Sequence, residues 1–151
     1  MKKSKKKQMI LEMIFRAANL WQQRGGKMPG GLTLRQFMLL ATMKNMPQTN
    51  LSSLSKAFGG TRQNIRQLVN ALYEKGYVQI GQSETDRREI RVGLTDKAKE
   101  YFAENENADD DLLQPVFKGI GEKSMDGAME CLEKIIANLE NLHGEPEETK
   151  S

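Results

Sequence analysis

The chain has 151 residues, 38% of them hydrophobic and 28% charged, with a net charge of +3, a size that suits one domain with helical extensions and can bury a core. It holds no run of about eighteen apolar residues of the kind that spans a membrane, and its single cysteine, Cys131, excludes an intrachain disulfide framework and cannot alone build a zinc site. Residues 1–100 carry 19 of the 23 Lys and Arg and 7 of the 20 Asp and Glu, a net of +12, whereas residues 101–151 carry a net of −9. A polyanion would attract the first part and repel the second, so the N-terminal two thirds are expected to face nucleic acid.

In chain order, residues 1–7 contain five lysines and read as a basic disordered tail. Met9, Ile10, Met13, Ile14, Ala17, Leu20 and Trp21 recur every three or four residues, which predicts an amphipathic helix over 8–23. Glu12 and Arg16 inside it are unlike a signal peptide's apolar segment, so a cytoplasmic protein is expected. A glycine-rich loop follows, and Thr33 with Gln36 then forms a capping box for a helix that buries Phe37, Met38, Leu40 and Ala41 and ends near Asn45.

Leu51, Leu54 and Phe58 mark a short helix, and Gly59-Gly60 a tight turn. Ile65, Leu68, Val69 and Leu72 mark a second helix, from Arg62 to Lys75, with Thr61 at its N-cap and Gly76 as its stop. Two short strands, Tyr77 to Ile80 and Glu89 to Val92, flank a polar loop over 81–88. Thr95 caps the next helix, with Asp96 in its first turn. Its apolar phase, Ala98, Phe102, Asn105, Ala108, Leu112 and Val116, predicts one long helix bent at Pro115. After a joint at 119–123, Met125, Ala128, Leu132, Ile135, Ile136 and Leu139 line a last helix that Gly144 ends.

The pattern is mainly α with a small β-hairpin wing. It reads as a winged helix-turn-helix DNA-binding domain over 32–95, a helical dimerisation region made of 8–23 and 96–143, and a disordered tail at 144–151. The helix-turn-helix does not need the outer helices as cover, so their apolar faces call for a second copy of the chain, which would also place two reading helices on successive major-groove faces.

At about 100° per residue, Gln63, Gln67 and Asn70 project opposite the apolar stripe of the second helix, with Arg62, Asn64 and Arg66 on the flanks and Thr61 at the start. Amides pair bidentately with adenine, and arginines with guanine or phosphate. The plain alternative is a solvated face, but such faces usually carry Glu and Lys at i, i+4 rather than amides. At the hairpin tip stand Asp86, Arg87 and Arg88, with Arg91 on the following strand. An arginine there can enter the narrow minor groove, and a carboxylate two residues earlier can hold its guanidinium. Read alone, that pair could be an exposed ion pair of small energetic weight.

Leu32-Thr33, Gln36-Phe37, Leu39-Leu40, Leu51, Leu54, Gln63 to Leu72, Lys75-Gly76-Tyr77-Val78, Asp86-Arg87-Arg88 and Leu94-Thr95 together resemble the MarR family of bacterial transcription regulators. The resemblance covers almost the whole chain, and Asp86-x-Arg88 followed by Leu94-Thr95 is its most specific part. It implies a homodimer that binds double-stranded DNA at pseudo-palindromic operators and often releases it when a small-molecule effector or oxidant acts, and the leading expectation is a repressor. It also implies Arg88 as the inserting arginine and Asp86 as its orienter, supplemented by Arg87 and Arg91. Two positions depart from the pattern: Gln79 stands where arginine is frequent, and Ala98 where glycine is.

Trp21, Phe37, Met38 and Met43 are candidates for an effector cleft, although the nine methionines also read as core filler. Cys131, at the edge of an apolar stripe, reads as a small packing or interface residue, and His143 as a solvated helix end. No cofactor or metal is expected, and no Cys/His pair, apolar carboxylate pair or phosphate loop suggests an enzyme. The competing expectation is a winged-helix adaptor whose basic face docks an acidic protein.

Overall fold

A computed structural model describes residues 1–24, 27–86, 88–106 and 112–143. It divides into two compact units, Met1–Ala108 and Asp109–Ser151.

In the first unit the order is α1 (Lys3–Arg24), α2 (Leu34–Thr42), β1 (Gln48–Asn50), α3 (Leu51–Phe58), α4 (Arg62–Glu74), β2 (Val78–Gln82), β3 (Ile90–Leu94) and α5 (Asp96–Glu104). Helix α1 starts earlier than expected. Lys5, Lys6 and Lys7 lie on its first turns rather than in a disordered tail, because lysine is a good helix former and no Gly or Pro interrupts residues 3–24. The predicted capping box is present: Thr33 Oγ1 accepts from the Gln36 N–H at 3.2 Å, and Gln36 Oε1 accepts from the Thr33 N–H at 3.1 Å.

The wing is a three-stranded antiparallel sheet in the order β1-β3-β2 rather than a bare hairpin. Strand β1 escapes sequence reading because Gln48-Thr49-Asn50 has no apolar alternation. Its Thr49 is nevertheless buried opposite Val92. The hairpin strands run later than expected, with Val78 paired to Leu94 and Gln82 to Ile90.

One core joins α2, α3, α4, α5 and the sheet. Leu32, Leu39, Leu40, Met43, Leu54, Ile65, Val69, Leu72, Val78 and Val92 are all buried within it. Ala98, at the position that departs from the family's frequent glycine, is also fully buried. Tyr77 and Tyr101 meet edge to face at 5.3 Å, and the Tyr101 hydroxyl donates to the Pro29 carbonyl at 2.8 Å. The turn they close is made by Gly30 and Gly31, both at φ +76°.

The long helix expected from Thr95 onward stops at Glu104. Asn105 leaves helical geometry (φ −109°, ψ 21°), and its Nδ2 donates to the Tyr101 carbonyl at 2.9 Å, an interaction that closes the end locally. The expected continuation through 107–111 lies outside the described residues, as does the expected tail at 144–151. In the second unit, 114–116 form a turn rather than a bent helix, Gly119 takes φ +80°, and α6 (Glu122–His143) follows. Among the described residues no helix is long and apolar enough to cross a membrane.

A Cβ on Gly30 would lie 2.7 Å from the Tyr77 hydroxyl and 3.0 Å from the Tyr101 ring, at a φ that L residues rarely adopt. Gly30→Ala is therefore expected to lower unfolding free energy by about 1–3 kcal/mol, read from urea denaturation. An unchanged midpoint would mean the two tyrosines can shift freely.

Candidate nucleic-acid interface

The site is built from the ends of α3 and α4 inward. Asn50 caps α3 by accepting from the Ser53 N–H at 2.8 Å, and Leu51 and Leu54 bury its inner side. Gly59 ends it at φ +87°, where a residue with a side chain would be strained. Ser55 Oγ then donates to the Gly60 carbonyl and fixes the turn.

Thr61 caps α4 through the Asn64 N–H at 3.2 Å, as expected. Ile65, Val69 and Leu72 are buried, which turns Arg62, Gln63, Asn64, Arg66, Gln67 and Asn70 to solvent. The far end is tied down as well. Lys75 Nζ donates to the Gly31 carbonyl at 2.9 Å and to Gln36 Oε1 at 2.8 Å, while Thr95 Oγ1 donates to the Gly76 carbonyl at 2.7 Å. These ties hold the side chains on the exposed face of α4 in a fixed register.

One residue escaped the sequence reading. Tyr73 is 55% exposed on α4. It lies three residues after Asn70 and seven after Arg66, so its phase alone could have placed it on the same side.

At the wing tip, Ser83 and Asp86 organise the backbone. Ser83 Oγ accepts from the N–H groups of Thr85 and Asp86 at 3.3 and 3.4 Å, and the Ser83 N–H donates to the Glu89 carbonyl at 3.2 Å. Asp86 Oδ1 accepts from the backbone N–H of Arg88 at 2.9 Å. The expected role of Asp86 is thereby corrected. Its carboxylate holds the tip's backbone rather than the Arg88 guanidinium, because a short acidic side chain reaches the amide two residues on more readily than it reaches a long side chain. Arg88 and Arg91 are exposed, and Arg87 lies outside the described residues.

Electrostatically, the surface is left open. Among the described residues the one ion pair, Lys134 with Glu130 at 3.0 Å, lies on α6. Arg62, Arg66, Arg88 and Arg91 have no carboxylate of a described residue within ion-pair distance, an arrangement suited to an external polyanion.

The four candidates for an effector cleft differ in exposure. Met43 is fully buried in the core, because it falls three residues after Leu40 and points the same way. Met38 is 40% exposed, Trp21 is half-buried, and half-buried Phe37 packs edge-on to Tyr101 at 6.5 Å. A shallow groove of about 440 Å³ lies instead beside Gly30, Tyr77, Lys97 and Tyr101 and contains none of them. Cys131 is exposed. Among the described residues no cluster of His, Cys, Asp and Glu could hold a metal ion.

Capped helix, glycine turn, second capped helix and hairpin define a winged helix-turn-helix protein. Residues 32–90 match the model of the MarR family. It is 24% identical over 114 residues to the transcriptional repressor MprA of Escherichia coli K12, a match covering 74% of this chain and 65% of MprA. The chain thus spans just under two thirds of that relative's length. Among solved structures, its fold is shared by a MarR transcriptional regulator from Methanosarcina mazei Go1 (TM-score 0.77, 23% identity, 89% of this chain and 99% of that one). It is shared also by Bordetella bronchiseptica BpsR, whose DNA binding is regulated by 6-hydroxynicotinic acid (TM-score 0.72, 19% identity, 84% of this chain and 98% of that one). This family and these relatives are transcription regulators, not enzymes.

Because Asp86 acts on the tip's backbone, Asp86→Asn should preserve the turn and Asp86→Ala should loosen it. Backbone order parameters at 83–88 are expected to fall in the alanine variant only; equal values in both would remove the carboxylate from the tip's architecture.

Proposed function

We propose that this chain is a cytoplasmic, homodimeric repressor that occupies a pseudo-palindromic operator, with α4 in the major groove and the wing in the flanking minor groove. The observation that carries this reading is the joint exposure of Arg62, Gln63, Arg66, Gln67 and Asn70 on one capped helix, beside a hairpin ending in Arg88. Amides and arginines are the side chains that distinguish adenine and guanine edges in the major groove. Asn64 and Thr61 stand at the helix start, where backbone N–H groups favour phosphate. Arg88 enters the minor groove, and Arg87 and Arg91 add phosphate contacts.

Two surfaces support the dimer. Leu11, Met13 and Phe15 on α1 are at least half exposed, and Met129, Leu132, Ile136, Leu139 and Leu142 on α6 are between 41% and 65% exposed. Apolar faces of that extent on soluble chains generally mark association. A second copy covers them with a two-fold operation, which matches a two-fold operator. Repression follows from likeness to MprA, and release by a small organic effector from likeness to BpsR.

Selection of bound fragments from genomic DNA, followed by fluorescence anisotropy on the recovered motif, tests the reading. Log affinity is expected to fall by roughly 0.9 per neutralised phosphate per decade of salt. Arg88→Ala should weaken binding by about 1–3 kcal/mol while the chain keeps its melting temperature and oligomeric state. A flat salt dependence, or no binding even to random duplex at low salt, would favour a protein-docking role for the basic face.

Base reading by α4 makes a separate demand. Gln63→Ala and Gln67→Ala are expected to change the selected motif more than they change affinity for random duplex. Recovery of the parental motif by both variants would take these amides out of the recognition code.

A further inference from the structure

Among the described residues, one side-chain bridge that neither motif predicts ties the wing to the helix-turn-helix. Asn50 Nδ2 donates to Glu89 Oε1, and both residues are half-buried. Each partner has a second commitment. Asn50 Oδ1 caps α3 through the Ser53 N–H at 2.8 Å, and Glu89 directly follows Arg88 and closes the tip through its own backbone, accepting from Ser83 and donating to Asp86. The bridge therefore runs from the wing tip through a carboxylate and an amide to the first turn of α3, which packs on α4.

Its placement is what the sheet alone does not supply. The β2-β3 ladder ends at Gln82 and Ile90, and β1 pairs with β3 only over Gln48 to Asn50. Beyond Ile90 the tip is joined to itself by local turns and to the reading unit by Glu89. A carboxylate acceptor makes a stronger hydrogen bond than a neutral one, and this one lies toward the positive end of the α3 dipole.

We propose that Glu89 is a positioning residue which, through Asn50, fixes the pitch of the wing relative to α4 and so the separation between minor-groove and major-groove contacts. It rests on the DNA-binding reading above. A carboxylate is an unwelcome neighbour for phosphates, so on charge alone its removal should strengthen binding to any duplex. The clamp requires the opposite sign. That difference separates positioning from simple surface charge.

The full-length chain is used with two probes, a labelled duplex of the selected motif and a random duplex. Glu89→Ala is expected to bind the motif about three- to tenfold more weakly, while Glu89→Gln, which keeps a carbonyl acceptor and loses the charge, binds at least as well as the parent. Asn50→Ser keeps an N-cap oxygen and replaces the amide donor with a shorter hydroxyl whose oxygen is committed to the cap, so it should match Glu89→Ala, and the two losses should not add. In an Arg88→Ala background Glu89→Ala should cause no further loss, because there is no inserted side chain left to position. In the free protein, Glu89→Ala should speed amide exchange at Ser83 and Glu89 about tenfold and leave Ser53 unchanged.

Tighter binding by Glu89→Ala, additive losses with Asn50→Ser, or unaltered exchange at the tip would each overturn the clamp. Should the parent bind neither duplex, the DNA-binding reading fails, and the exchange rates still decide whether Glu89 holds the wing. Thermal melting of each variant guards against loss of fold, and Glu89→Gln against Glu89→Ala remains readable if Asn50→Ser unfolds.

Discussion

The burial of Ile65, Val69 and Leu72, each no more than 1% exposed, is the constraint on which the rest of the molecule depends. Fully burying side chains of this size stabilises by about 1.5–3 kcal/mol apiece. A rotation of α4 by one residue, about 100°, would bring Arg66, Asn70 and Tyr73 into the core without partners and would expose the apolar stripe. The orientation of the solvent face is therefore dictated from inside. Arg62, Gln63, Arg66, Gln67 and Asn70 are outward because three aliphatic side chains cannot be.

Local polar chemistry then fixes what burial leaves loose. Caps at Thr33, Asn50, Thr61 and Thr95 start four helices. Lys75 and Lys97 act at the opposite end, and Lys97 Nζ donates to the Lys75 carbonyl at 2.6 Å while lying 4.7 Å above the Tyr77 ring. Lysine near the C-terminus of α4 also opposes the negative end of its dipole. The turn around Gly30 is locked by two tyrosines from distant elements, so the segment before α2, the start of β2 and α5 share one joint. Such joints make the wing domain behave as a single piece.

What could be read from the sequence follows from how local each cause is. Capping boxes, glycine stops and 3.6-residue stripes act within one or two turns, so α2, α3, α4 and the start of α5 are visible in Thr33, Leu51 to Phe58, Thr61 to Gly76 and Thr95. The exposed α4 face followed from the same period. Strand β1 was not visible, because Gln48-Thr49-Asn50 becomes a strand only through pairing with residues more than forty positions away. The stop at Glu104 is hidden in the sequence because the heptad-like phase of 98–116 points to a longer helix, whereas the end is closed by one side-chain bond from Asn105. Asp86 was recognised as important but given the wrong partner, since a motif shows which residues are near and not which atom is reached first. The effector cleft drew on residue types alone, and three-dimensional packing put Met43 in the core and Met38 on the surface.

The early start of α1 has a consequence for how the chain responds to its medium. Lys3, Lys6 and Lys7 fall at i, i+3 and i+4, no acidic residue lies in the first turn, and all three ammonium groups sit at the positive end of the helix dipole. Repulsion along that edge and against the dipole makes these turns the least self-supporting part of α1. Dissolved ions weaken both repulsions, over a Debye length of about 8 Å at physiological strength. The opening turns are thus firmed by electrolyte, so the start of α1 gains helix as ionic strength rises.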